Sequence, residues 1–143
     1  MFFGVHLLTG AALGAIVKDP LAASGLAVVS HYTIDHLPHW NYLPKFRSKW
    51  EDSWKMGLEP VISGLLFISL AVIFRWNLNI LIAAAAAALP DLIEASQYFL
   101  RSRILHYHSR FHHFGHWHAR FLPSLPIVLS IIVLAVLSLP WTR

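Results

Sequence analysis

Ile80-Leu-Ile-Ala83-Ala-Ala-Ala-Ala-Ala88-Leu-Pro90-Asp91-Leu-Ile-Glu94 decides how this chain folds. An unbroken apolar run, six alanines long at its centre, ends in a proline and two acids. Alanine forms helix readily and lets a neighbouring helix approach closely. Pro90 lacks an N–H and is expected to kink or restart the helix. Asp91 and Glu94 are three residues apart and share a helix face. A carboxylate within a membrane costs about 2.5–3.5 kcal/mol on insertion scales. Two on one apolar helix suggest a compensating cation. The plainer readings are that Asp91 caps a restarted helix and that Glu94 pairs with Arg101 or Arg103.

The rest of the chain shares this apolar character. Of 143 residues, 57% are hydrophobic and 13% charged. That charged share is about half the usual value, and a soluble domain of this size would struggle to cover so much apolar side chain. The expectation is an all-α integral membrane bundle of about five short helices, forming one domain over residues 1–143. There is no cysteine, which excludes disulfides, thiolate metal sites and a cysteine nucleophile. The net charge of +4 is small, and is read as loop bias in a membrane protein rather than as nucleic-acid binding.

Five helices are expected, at about 2–17, 21–37, 58–75, 80–100 and 122–139. The first lacks the basic start of a signal peptide and is expected to be retained as a helix. It is short for a full span of about 30 Å. Its Gly10 and Gly14 form a G-x-x-x-G pair that invites a second helix. Residues 38–57 read as an interfacial linker, with Trp40, Trp50 and Trp54 among lysines and an arginine. Residues 101–120 read as a histidine-rich loop.

Alternating the helices across a bilayer puts the N-terminus, the linker and the histidine-rich loop on one side. That side carries Lys45, Arg47, Lys49, Lys55, Arg101, Arg103, Arg110 and Arg120, and the other only Lys18, Arg75 and Arg143. The positive-inside rule makes the first side cytoplasmic.

The chemically capable residues converge on that side. His6 lies one turn into the first helix, and Asp35, His36 and His39 end the second. Asp91 and Glu94 lie in the matching half of the fourth. The loop holds His106, His108, His112, His113, His116 and His118. His31–Asp35, His108–His112 and His112–His116 are each four apart, the spacing of one helix face. Each residue alone has a bland explanation in packing, capping or the interface, but separate accidents do not predict a shared end. Imidazole with carboxylate and no thiolate suits zinc, manganese or non-haem iron. More than four candidates allow one or two divalent ions, with zinc the first expectation and manganese or iron the alternatives.

Gly4-Val-His6-Leu-Leu, followed by small residues and Lys18, resembles the N-terminus of the DUF457-like bacterial inner-membrane metal-dependent hydrolases, the LexA-regulated type. Those proteins show a first-helix histidine, then P-D-x-D-H, then H-R-G-x-T-H. Here Asp35-His36 matches the end of the second motif, with Thr33 where its first Asp would stand. His113-Phe-Gly115-His116-Trp-His118 keeps the H-x-G-x-x-H spacing without the Arg and Thr. Leu89-Pro90-Asp91 supplies an L-P-D later in the chain. The resemblance covers the first forty residues best.

It implies a membrane-bound hydrolase that uses a divalent metal. The first functional reading of the residues takes His6, Asp35, His36, Asp91, His113 and His118 as the metal ligands. Glu94 or His39 would serve as general base or acid, and Arg101, Arg103 and Arg110 would steady an anionic headgroup. The substrate class is a lipid-linked phosphoester, a choice made from location. Membrane lipid is the expected partner, nucleic acid is not, and homo-oligomerisation is left open. So are the roles of His31, His106, His108, His112 and His116.

Two other classes compete. The spacings His31-x4-His36 and His108-x3-His112-His113 fit the boxes of di-iron desaturases and hydroxylases, although the chain is short for them and brings acids to the site. A non-enzymatic membrane subunit binding metal, haem or lipid is the third reading.

Overall fold

The computed structural model describes residues 2–37, 50–100 and 102–112, and near the C-terminus residues 128, 129, 131–133, 135, 136, 138 and 139. Among these there is helix and no strand. The elements are α1 (Phe3–Ile16), α2 (Pro20–Asp35), α3 (Trp50–Ile73), α4 (Leu78–Leu100) and α5 (Arg103–His112). Residues 128, 129, 131–133, 135 and 136 are also helical, inside the range expected for the last helix.

α4 is the central strut. Ala84 and Ala88 face Leu7 and Ala11 of α1 and Phe67 of α3, while Ala83 and Ala87 face Ala23 and Ala27 of α2. The close approach has a definite cause at two glycines. A Cβ on Gly10 would lie 2.5 Å from the Ala83 carbonyl oxygen and 2.6 Å from the Ala87 Cβ. A Cβ on Gly14 would lie 2.7 Å from both the Asn79 carbonyl oxygen and the Ile80 Cα. The G-x-x-x-G face of α1 therefore lies against the alanine face of α4, backbone on backbone.

Side chains secure the helix ends. Asp19 caps α2 by accepting from Ala22 N–H at 2.7 Å, with Pro20 at the first helical position. Asn77 accepts from Ile80 N–H at the start of α4. Asn79 donates to the carbonyls of Gly14 and Val17 at 2.8 and 2.7 Å, fastening the end of α1 to the start of α4. At the other end Glu59 of α3 accepts from the N–H groups of Phe3 and Gly4. An anion there answers both the bare donors and the positive end of the helix dipole.

Three boundaries differ from the sequence reading. α3 begins at Trp50, not near Leu58. Charged residues ended the apolar pattern there, but charge does not interrupt a helix. α4 runs through Pro90 without restarting, so Asp91 is not a helix cap. Half of the expected loop is helix: α5 starts where the Ser102 hydroxyl accepts from Ile104 N–H and runs to His112.

Small residues line the seams of α1 and α2 with α4, beside a core of Leu7, Phe67, Trp76 and Ile80, while other large apolar side chains lie outside. Ala11, Ala23, Ala27, Ala83, Ala84 and Ala87 are all at 0% exposure, whereas Leu65, Leu66 and Val72 of α3 are 61%, 62% and 71% exposed. Among the described residues one stretch, the 19 residues Leu78–Ser96, is long and apolar enough to cross a membrane. Phe3–Ile16 and Gly57–Ile73 are shorter apolar helices.

Candidate metal centre

Asn79 and the α1–α2 turn mark one end of the bundle. At the opposite end four helices each deliver one or two polar side chains. α1 brings His6, and the last turns of α2 bring His31 and Asp35. α4 brings Asp91 and Glu94, and α5 brings His112 on its final residue. His6, His31, Asp35 and His112 are buried, at 0%, 0%, 1% and 4% exposure. Asp91 at 26% and Glu94 at 18% form the open side.

His31, Asp35, Asp91 and His112 each offer one ligand atom, and these atoms lie within 4.8 Å of one another. The Nε2 atoms of His31 and His112 are 2.9 Å apart. Asp35 Oδ2 is 3.3 Å from the first and 3.1 Å from the second. Asp91 Oδ1 lies 3.7 and 3.8 Å from the same two nitrogens. His6 Nε2 is 3.3 Å from Asp35 Oδ1 and 3.9 Å from Asp91 Oδ2, and its ring stacks on His31. Such a group of donors can hold a metal ion.

The outward-facing nitrogens are tied down. His31 Nδ1–H donates to the Ala87 carbonyl at 2.7 Å, and His112 Nδ1–H donates to the Glu94 carboxylate. These bonds put the Nε2 lone pair of each ring into the cluster, which is the arrangement metal-ligating histidines adopt. Two lone pairs 2.9 Å apart repel unless a proton or a cation lies between them. Burial alone would lower the pKa of His112, but hydrogen bonds to Asp35 and Glu94 outweigh burial and raise it to about 9. His108, one turn earlier, accepts or donates at 3.3 Å to the Tyr32 hydroxyl; burial and the neighbouring His112 push its pKa below the usual value.

The structure brings His6, Asp35 and Asp91 together, as the convergence of polar residues anticipates. It does not bring His36 to them. The His36 ring is exposed and turns back onto its own helix, Nδ1 2.6 Å from the Tyr32 carbonyl oxygen. Asp35 and His36 are 100° apart around a helix of 3.6 residues per turn, so one residue of that pair faces away. Thr33 also points outward and bonds to Val29, so an acid there would not reach the cluster. Glu94 stands behind His112, its carboxylate accepting from the Nδ1–H of that ring. Arg103 and Arg110 are exposed on α5, as is His106. His39, Arg101, His113, His116 and His118 lie outside the described residues.

His31 and His112 are the ligand-type residues that the family motif passes over. Their signal is in the spacing: His31 is four residues before Asp35 and shares its helix face, while the motif points to His36. The polar cluster is thus a buried imidazole–carboxylate group on a helical bundle that could hold a metal ion. Comparisons of the chain with protein families, with curated proteins and with solved structures give no match.

Proposed function

We propose that this protein is a membrane-embedded, metal-dependent hydrolase acting on phosphoesters of membrane lipids. The observation that carries the metal assignment is the facing pair of His31 and His112 Nε2 atoms, each ring fixed by an acceptor behind it, with two carboxylates alongside. A divalent ion held there would polarise a phosphoryl oxygen and lower the pKa of bound water toward ~7. Zinc, manganese and iron all suit the donor set, with zinc the first choice.

Support for the membrane comes from the packing. Water would drive Leu65, Leu66 and Val72 inward, yet they are outside while alanine and glycine line the α1–α4 and α2–α4 seams. That inversion suits lipid, where close backbone approach replaces the hydrophobic effect as the force between helices. The positive-inside reading sets the metal-bearing end at the cytoplasmic face of the inner membrane. The partly exposed Asp91 and Glu94 give the side from which a headgroup enters, and Arg103 and Arg110 supply cations on the adjoining helix. His108, beside the ligands but engaged with Tyr32, takes the acid–base role first given to Glu94 or His39.

A haem-binding subunit is disfavoured. Axial histidines must stand on opposite faces of a flat macrocycle. His31 and His112 meet nitrogen to nitrogen at 2.9 Å, with Asp35 against both. The di-iron oxidase reading shares the donor types, and metal identity separates the two.

The test is hydrolysis of phosphatidate and related lipid phosphoesters in mixed micelles, by protein loaded with zinc or manganese and by chelator-treated protein. Turnover that chelation abolishes and metal restores is expected. Equal turnover in both preparations would remove the metal from the mechanism.

A further inference from the structure

We propose that the centre is binuclear: Asp35 and Asp91 bridge two divalent ions, one held further by His31 and His112 and the other by His6. This rests on the metal-centre reading above and adds a second ion with its ligands.

The carboxylate oxygens are divided between two sets of imidazoles. Asp35 turns Oδ2 to His31 and His112, at 3.3 and 3.1 Å, and Oδ1 to His6, at 3.3 Å. Asp91 repeats the division, with Oδ1 3.7 and 3.8 Å from His31 and His112 and Oδ2 3.9 Å from His6. A carboxylate binding one ion through one oxygen commonly offers the other to a hydrogen-bond donor. Here the second oxygens of both acids converge on the same ring nitrogen.

His6 supplies an independent observation. It is fully buried, and neither of its ring nitrogens has a hydrogen-bond partner. Its Nε2 approaches two acids without making a well-directed hydrogen bond to either. A buried polar atom without a hydrogen-bond partner carries an uncompensated desolvation cost. A cation between Nε2 and the two carboxylate oxygens removes that cost at Nε2.

The spacing agrees. The His6 and His31 rings stack with centroids 4.0 Å apart and planes 29° from parallel. Side-by-side imidazoles present their nitrogens to neighbouring ions at a similar interval, and paired metals in hydrolases stand about 3.5–4 Å apart. Such a pair would supply a clamp for the attacking and leaving oxygens of a hydrolytic displacement, as phosphoester cleavage requires.

The experiment loads the full-length protein in detergent with Mn2+ and reads stoichiometry by elemental analysis and coupling by electron paramagnetic resonance. The expected result is two equivalents with a spin-coupled spectrum, and two equivalents again with Zn2+. His6→Gln is expected to hold one equivalent with an uncoupled spectrum, its helicity checked by circular dichroism. A wild-type protein that saturates at one equivalent, uncoupled, overturns the second ion and leaves the metal centre standing. A wild-type protein that binds neither metal removes both. Two coupled equivalents in His6→Gln remove His6 from the centre. The wild-type measurement decides the number of ions even where that variant fails to fold.

Discussion

His31 donates its Nδ1–H to the carbonyl oxygen of Ala87, 2.7 Å away, and so the nitrogen facing the cluster is Nε2. The acceptor lies on α4 in the turn before Pro90, and the donor on α2. The contact between the two helices that Ala27 and Ala87 make close is thus the contact that aims a ligand. Fold and site are coupled at that point: whatever separates α2 from α4 also rotates His31.

Glu94 does for His112 what the Ala87 carbonyl does for His31, and a side chain can be changed. Glu94→Gln keeps the size but removes the charge that holds the Nδ1 proton. Loss of such a partner typically lowers metal affinity about 10–100-fold. Titration of Zn2+ with a competing chelator should show a weakening of that order with helicity unchanged. Unaltered affinity would mean that Glu94 does not orient a ligand.

The metal-free protein should depend on pH through His112. Its folded pKa is raised to about 9 from 6.5, against the opposing effect of burial, by hydrogen bonds to Asp35 and Glu94. A raised pKa means that the protonated form stabilises the fold. That contribution is complete below about 6.5 and is lost as pH rises through about 9. A bound cation requires the neutral ring, so binding releases the proton across this window. Apparent affinity should climb with pH, by up to about tenfold per unit, and level off near 9. Affinity that is flat between about 7 and 9 would exclude His112 as a ligand.

Gly10 should be intolerant of any side chain. Its added Cβ would meet the Ala83 carbonyl oxygen at 2.5 Å, and backbone cannot swing aside as a side chain can. Gly10→Ala should lose about 1–3 kcal/mol, the range for overpacking, and should weaken metal binding because His6 sits one turn earlier on the displaced helix. Gly25→Ala is the control, since nothing lies within 4 Å of its added Cβ. It should be neutral or gain about 0.5–1 kcal/mol. Thermal unfolding of both variants in one detergent makes the comparison; equal stability would refute the close contact.

Helix existence and the meeting of α1 with another helix were legible in apolar runs and in G-x-x-x-G. So was the end of the bundle where the polar residues gather. The partner of Gly10 was not, because six consecutive alanines present a similar surface to every neighbour and only the assembled fold selects Ala83 and Ala87. The start of α3 was hidden by its charged residues. His31 was legible from its spacing to Asp35, but a motif match drew attention to His36, whose ring the helix turns outward. His112 was one of several loop histidines of equal standing, and choosing among them required knowing that α5 is helical and ends there.

Glu59 offers a test of how α1 is held. Its carboxylate accepts from the N–H groups of Phe3 and Gly4 and from the Ser63 hydroxyl. Removing it leaves the first donors of α1 bare and withdraws an anion from the positive end of the helix. Hydrogen bonds to a charged group contribute about 1.5–3 kcal/mol each, offset here by partial exposure. Glu59→Ala should therefore destabilise by about 1–3 kcal/mol, and Glu59→Gln by less. Indistinguishable unfolding midpoints for Glu59→Ala and the parent would show that the cap contributes nothing.

Orientation can be tested directly because the chain has no cysteine. Lys18 lies at the α1–α2 turn, the end that Asn79 fastens, and Arg103 begins α5 at the metal end. A bundle inserted in a bilayer places these two positions on opposite sides. Single variants Lys18→Cys and Arg103→Cys should therefore react with a membrane-impermeant maleimide from opposite faces of right-side-out and inverted vesicles. The excess of Lys and Arg on the α5 side makes Arg103→Cys the one reached in inverted vesicles. If both react from the same face, α1 does not cross the bilayer and the exposed leucines of α3 require another cover. If the faces are reversed, the bundle spans the membrane but the metal end lies on the outer side, and a lipid of the outer leaflet becomes the substrate to test.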